Sequence, residues 1–250
     1  MRVIAYVNRK GGVGKSATAD NMAACLAQRG NRVLVVDLDP QGGSTVQFGL
    51  DKRSLGSKTI YESLLGLVPL PEVIRHTSVE RVDIAPANTD LDGAKTELDN
   101  LEDGAFVLKK LLGTINGYDY ILIDSEPGMS VLTLNVLVAC DEVIVPLQPE
   151  YKSLEATADF METLDLLKEH TGQQPKKYFV ITMYSKSNHT KAAVKELRDT
   201  FGDEVFKTII PRNIAVARAP SFGKPVVAYD PASSGAEAYM KLTEEFLDGK

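Results

Sequence analysis

Residues 3–24, VIAYVNRKGGVGKSATADNMAA, decide the reading of this chain. A short β-branched run at residues 3–7 leads into glycines at 11, 12 and 14, then Lys15 and Ser16, then apolar residues at helical spacing. The order is strand, loop, helix. A loop this rich in glycine lets backbone N–H groups converge on an anion, and the positive end of the following helix adds its partial charge. Phosphate is the guest such a loop suits. Lys15 reaches the outer phosphates as a point charge, and the Ser16 hydroxyl stands where a Mg²⁺ bridging two phosphates needs an oxygen ligand.

The common phosphate-loop pattern, G-x-x-x-x-G-K-[ST], is not strictly met, because Arg9 stands where the first glycine belongs. What remains is K-G-G-x-G-K-S. A flexible glycine loop with an incidental lysine is the bland alternative, and the required order of strand, glycines, Lys-Ser and helix speaks against it.

The rest of the composition sets bounds. With 250 residues, 44% hydrophobic and 25% charged, the chain is expected to form a single α/β domain over residues 1–250. Cys25 and Cys140 lie far apart and belong to no C-x-x-C, which suggests neither a disulfide framework nor a paired-cysteine metal site. No apolar run approaches a membrane span and no signal peptide is evident, so a cytoplasmic protein is expected. The net charge of −6 excludes a surface that is basic all over, and any nucleic-acid contact must come from a local patch.

Along the chain, the spacing predicts a first helix over 14–29 that buries Ala23, Leu26 and Ala27, and a strand over 32–37. That strand ends in Asp37-Leu38-Asp39-Pro40. Carboxylates at the carboxyl end of a parallel strand lie on the rim where open α/β sheets bind ligands, and can orient water on a metal or an attacking water. Short helices near 44–48 and 60–65, a proline-rich turn at 69–71, a strand at 82–86 and a helix over 104–115 follow. The strand YILID at 120–124 ends in Asp124, placed to hold magnesium through water. Beyond it are expected a helix at 130–139, a strand at 142–146, and a helix at 153–170 burying Leu154, Phe160, Met161, Leu164 and Leu167. A strand at 178–183, a helix from about 190 to 201, a strand at 205–210 and a helix at 236–247 complete the reading. The alternation implies a doubly wound, mostly parallel sheet of seven or eight strands with helices on both faces.

These residues resemble the ParA/Soj branch of the deviant-Walker P-loop ATPases, the superfamily that also contains MinD. The likeness runs through NRKGGVGKS, VVDLDPQG, YDYILIDSEPG, LNVLVACDEVIVPLQPEYKSLEA, TIIPRN and APSFGKPVVAYDPASSGAEAY. It resembles members that lack an N-terminal DNA-reading domain and begin at the first strand. In such proteins a signature lysine, here Lys10, touches the phosphates held by the other subunit of an ATP-bound sandwich dimer. The resemblance implies an ATPase with ATP and Mg²⁺ as cofactors, slow without its partner. Gly11, Gly12, Val13, Gly14, Lys15, Ser16 and Ala17 would hold the phosphates, with Lys10, Lys15 and Asp39 acting in catalysis. Ser16, Asp37 and Asp124 would serve the metal. Adenine contacts would come from late loops at 182–184 and above all Pro211, Arg212 and Asn213.

Two departures stand out. Where many relatives carry two prolines after the aspartate of the second acidic strand, this chain has Glu126-Pro127. A carboxylate there repels a terminal phosphate or alters loop movement unless it points outward or meets a lysine. Ala215 replaces an arginine associated with DNA binding in relatives, and Arg218 follows three positions later. Lys191, Lys195 and Arg198 recur at i, i+4 and i+7 on one predicted helix face, with Lys186 before it. With Arg212, Arg218 and Lys224 they form a candidate phosphate-tracking stripe, salt-sensitive and indifferent to base sequence, against the alternative of a solvated helix face.

The resemblance thus implies a partition ATPase, homodimeric when ATP-bound, that binds nonspecific DNA on the nucleoid and is released by a ParB-like or other small DNA-binding activator. The alternative is a MinD-like membrane-surface positioner. Its basic amphipathic C-terminal helix is not matched by residues 241–250, whose apolar positions are interspersed with acids, so no stable membrane association is expected. An electron-transferring relative with a cluster shared between subunits would need cysteines at the dimer face, whereas Cys25 falls inside the first helix.

Overall fold

Runs such as VLVVDL at Val33–Leu38 and YILIDS at Tyr120–Ser125 are covered at every position. A strand buried on both faces is what a parallel sheet between two helical layers requires. The computed structural model describes residues 1–150 and 153–249, the side chains of 153–156 excepted, so the expectation for Leu154 falls outside the described residues. Its strands are β1 Arg2–Tyr6, β2 Val33–Leu38, β3 Arg75–His76, β4 Val82–Ala85, β5 Tyr120–Ser125, β6 Glu142–Leu147, β7 Lys176–Tyr184 and β8 Val205–Pro211. They form one sheet in the order β3-β4-β2-β5-β1-β6-β7-β8. Every described pairing is parallel except β3 with β4.

Strand β1 lies centrally, between β5 and β6, and its residues alternate between two cores. Ile4 and Tyr6 face helices Lys15–Gln28 and Ser234–Leu247; Val3 and Ala5 face the opposite layer, which includes Val131–Ala139. The register sets Asp124 level with Tyr6 on one side and Asp37 on the other. The glycine loop and both acidic strand ends therefore emerge together at one edge of the sheet.

Within the long helix Ser153–Thr171, Phe160, Leu164 and Leu167 are buried and Met161 is partly buried against the same core. The expected turn at 69–71 is instead the start of a short helix, Leu70–Val73, with Pro71 in the first turn, where its missing N–H costs nothing. The expected helix at 104–115 is shorter: a 3₁₀ turn, Gly104–Phe106, runs into Val107–Leu112. Besides the short helical pieces Gly202–Glu204, Ile214–Arg218, Ala219–Phe222 and Val226–Tyr229, two further elements have no counterpart in the sequence reading. β3 is a two-residue antiparallel edge, too short for a pattern, and helix Leu91–Asp99 buries only Leu91, Ala94 and Leu98.

One core position conflicts with its surroundings. Asp20, one turn beyond Ser16, is fully buried, and neither carboxylate oxygen has a well-aligned hydrogen-bond donor among the described residues. Burial, reinforced by Asp124, raises its pKa well above the ordinary range. The folded chain thus disfavours the ionised form of Asp20, while the unfolded chain ionises it above about pH 4. Its contribution to stability is full below that value and is lost as pH rises towards the folded pKa. Asp20→Asn, which keeps the shape and cannot ionise, is expected to leave the nucleotide-free chain nearly unchanged near pH 4 and to stabilise it progressively as pH rises towards about 8. Urea unfolding at the two pH values measures this; an equal effect at both contradicts it.

Candidate active site

The loop between β1 and helix Lys15–Gln28 is fixed through its carbonyls. Thr182 Oγ1 donates to the Val13 carbonyl at 2.8 Å, Thr18 Oγ1 to Gly14 at 2.7 Å, and the Gln148 amide to Gly12 at 3.3 Å. Buried Asn8 donates to the Pro146 carbonyl and accepts from the Lys10 N–H, tying the loop to β6. Gly12 and Gly14 have φ of 74° and 89°, a region open to glycine at little cost. Gly14 is also the N-cap and has no capping side chain. No acceptor among the described residues takes the N–H groups of residues 11–17. With carbonyls engaged and donors free, the loop is an anion cradle at a helix N-terminus.

Lys15 is 6% exposed. Burial lowers its pKa, and Asp124, Asp39 and Glu126 work in the opposite direction. Asp124 is fully buried and pushed up to about 8, first by burial and then by Asp37. Its Oδ2 accepts from Ser44 at 3.1 Å, while Oδ1 has no hydrogen-bond partner among the described residues. The Ser16 hydroxyl interacts with the same carboxylate. An orphaned carboxylate oxygen beside a serine hydroxyl is a donor set that fits a hard divalent cation. Gly43 keeps this corner open, since a Cβ there would stand 2.9 Å from Ser16 Oγ.

Asp37 sits differently. Its Oδ2 accepts from the N–H and hydroxyl of Thr45, at 2.8 and 2.7 Å, and its Oδ1 from the Asp39 N–H. Burial raises it to about 6. Its oxygens brace the 39–45 turn, which carries Asp39. Asp39 is half-buried at the cleft wall, accepts from the Gln41 N–H at 2.8 Å and is raised by burial.

Glu126 meets a lysine. Lys95, on the unanticipated helix Leu91–Asp99, approaches Glu126 Oε2 to 2.6 Å and Asp92 Oδ1 to 2.9 Å, and Ser130 donates to Glu126 Oε1.

Two cavities open side by side along the loop. The larger cleft, about 580 Å³, is lined by residues 11, 12 and 14–17 and by Asp39 and Pro127, among others. The second, about 340 Å³, is lined by Thr182, Pro211, Arg212, Asn213 and the ring of Tyr239, among others. Gly14, Ala17 and Met183 belong to both, so the two form one elongated site for a molecule with an anionic and a flat, less polar end. The Asn213 side chain is occupied in capping Ile214–Arg218 and bonding Ser234. Met183 is strained, at φ 52°, and its sulfur accepts from Gln148 at 2.7 Å. Neither Met183, within an ordinary strand run, nor Tyr239, on a distant helix, carried a sequence signal for this site beyond the general expectation for 182–184.

Lys10 lies outside both linings. Its half-exposed side chain reaches Glu150 Oε2 at 2.7 Å and Gln148 Oε1 at 3.2 Å, and Arg9 pairs with Asp159. The expected DNA stripe divides. Lys186, Lys191, Arg218 and Lys224 are exposed; Lys195 pairs with Asp199, Arg198 donates to the Lys207 carbonyl, and Arg212 belongs to the second cavity.

Comparison with known proteins agrees with this geometry. The AAA domain family matches residues 1–177. The sporulation initiation inhibitor protein Soj of Bacillus subtilis (strain 168) is 39% identical over 247 residues, covering 98% of this chain and 97% of that protein. The chromosome partitioning protein ParA of Myxococcus xanthus (strain DK1622) is 41% identical over 249 residues, covering 98% and 88% respectively. Among solved structures, that of cobyrinic acid a,c-diamide synthase from Mycobacterium smegmatis with bound ADP and magnesium is similar at a TM-score of 0.86 and 33% identity, covering 99% of this chain and 94% of that one.

Gly43→Ala tests the cation corner. The added methyl is expected to displace Ser16 and to weaken magnesium-dependent binding of a nucleoside triphosphate about tenfold, with binding in EDTA less affected. Titration calorimetry with and without the metal checks this; equal losses in both conditions contradict it.

Proposed function

The chain belongs to the Soj/ParA family of chromosome-partitioning ATPases, and on that premise we propose that it works as a single ATPase domain cycling between an ATP-bound dimer on DNA and a released form. ATP and Mg²⁺ are its cofactors. The N–H groups of residues 11–17 and Lys15 hold the phosphates, and the second cavity takes the nucleoside against Pro211, Arg212 and Asn213. When bound at Ser16 and Asp124, Mg²⁺ supplies charge neutralisation on the outer phosphates. Asp39 orients the attacking water, and Asp37 keeps the turn that presents Asp39.

The observation that carries this reading is the contrast between two lysines. Lys15 is buried in its own cleft, whereas Lys10 lines neither cavity and is held outward by Glu150 and Gln148. A cation aimed away from the phosphates beside it is suited to those of a second subunit, where it neutralises charge that develops on transfer. Hydrolysis then depends on assembly, and a slow basal rate with stimulation by a small DNA-binding activator follows from that dependence.

Two further observations favour DNA over a membrane as the docking surface. The apolar face of Ser234–Leu247 is already covered, with Ala236, Tyr239, Leu242 and Phe246 buried in the core, so this helix has no free face to lay on lipid. The exposed lysines 186, 191 and 224 and Arg218 supply a phosphate-tracking surface indifferent to base sequence. Cys25 is fully buried, which disfavours a cluster shared across a dimer face.

Sedimentation with Mg²⁺ and a slowly hydrolysed ATP analogue is expected to show a dimer for the intact chain and a monomer for Lys15→Ala. Lys10→Ala is expected to retain monomer ATP binding and to lose at least about tenfold in hydrolysis. DNA binding should need ATP and fall steeply with salt. A monomer under every condition, or full hydrolysis by Lys10→Ala, overturns the shared-site cycle.

A further inference from the structure

The second acidic strand end carries a charge that the phosphate site has to accommodate. Glu126 follows Asp124 by two residues, is 6% exposed, and precedes Pro127, which lines the phosphate cleft. Its influence reaches the cleft: it is among the charges acting on both Lys15 and Asp39, and Lys95 acts on Asp39 with the opposite sign. Asp37, Asp39 and Asp124 already stand at this edge. A fourth carboxylate without compensation would face the most highly charged end of a bound nucleotide.

Compensation comes from a separate element. Lys95 reaches across from helix Leu91–Asp99 to Glu126 at 2.6 Å, with its ammonium steadied from behind by Asp92 at 2.9 Å. Ser130, at the N-cap of Val131–Ala139, holds the other oxygen of Glu126. The carboxylate is therefore fixed in one place, and Lys95 is the cation that pairs with it directly.

We propose that the Lys95–Glu126 pair sets how strongly the cleft prefers a nucleoside triphosphate over a diphosphate, with Lys95 as a positioning residue that cancels the Glu126 charge next to the terminal phosphate. A triphosphate places its outermost group nearest this pair, and a diphosphate leaves that place empty. Loss of Lys95 thus penalises the triphosphate selectively, whereas loss of the Glu126 charge favours it. The proposal rests on the reading of the cleft as the ATP site.

The test compares Mg²⁺-dependent binding of ADP and of a non-hydrolysable ATP analogue to the full chain and its variants. Lys95→Met is expected to weaken the analogue about tenfold and ADP by less than about twofold. Glu126→Gln is expected to tighten the analogue relative to ADP, and Lys95→Met with Glu126→Gln to return the ratio to within about twofold of the wild type. Lys95→Arg should keep the wild-type ratio. Equal losses for both nucleotides, or a double variant as weak as Lys95→Met, would make the pair a plain structural brace and overturn the proposal. Should Lys95→Met fail to fold, Glu126→Gln decides alone, because a mere brace gives no reason for tighter triphosphate binding. A wild-type chain that binds neither nucleotide overturns the ATP-site reading together with this one; a wild-type chain that binds both, with ratios unmoved by any variant, overturns this one alone.

Discussion

Negative charge gathered at the carboxyl edge of a parallel sheet, against one buried lysine, is the constraint on which the rest of the structure depends. Register alone brings Asp37 level with Asp124, and both are fully buried. Two carboxylates so placed repel each other and lose hydration, which is why burial drives both upward in pKa. The free chain tolerates this because Thr45 and the Asp39 N–H satisfy Asp37 while Lys15 stands near Asp124. The unsatisfied remainder is Asp124 Oδ1 together with the donor groups of the loop. An anion with its cation supplies partners to both sets at once, so the site is a local deficit that the ligand completes.

The sheet order explains why this deficit forms where it does. β1 sits between strands reached by crossovers in opposite directions, and ligands of open α/β sheets bind outside the carboxyl ends at such a reversal. The alternation of Ile4 and Tyr6 with Val3 and Ala5 between two cores fixes β1 from both faces. The loop it delivers is then clamped to β6 and β7 by Asn8, Gln148 and Thr182. A cradle of free N–H groups holds its shape only because the carbonyls beside them are spoken for.

Much of this was legible in the sequence, and the reasons are local. The order strand, glycines, Lys-Ser and helix is contiguous, and apolar runs ending in Asp37 and Asp124 announce buried strands with a polar rim. What was not legible depended on distance along the chain. Lys95 and Glu126 pair across two helices and a strand, and nothing in the segment holding LDGAKTELD marks its lysine as different from a solvated one. The sequence marks Glu126 as a carboxylate that stands beside the site unless it points outward or meets a lysine, and the fold supplies that lysine as Lys95. Met183 falls within the loop expected at 182–184, whereas Tyr239 enters the second cavity through the packing of a closing helix, which has no pattern. Helical spacing puts Lys195 and Arg198 on one exposed face, and the fold adds what spacing does not show, a neighbouring acid beside Lys195 and a strand carbonyl beside Arg198.

The side-chain amide of Gln148 touches three parts of the molecule that otherwise have little in common. Its oxygen accepts from Lys10, and its nitrogen approaches the Gly12 carbonyl and the Met183 sulfur. An amide has one plane, so its contacts cannot be adjusted independently. A shift of the methionine at the nucleoside end, or of the loop at the phosphate end, turns the same group that steadies the outward lysine. One planar group thus joins the surface lysine, the glycine loop and the second cavity.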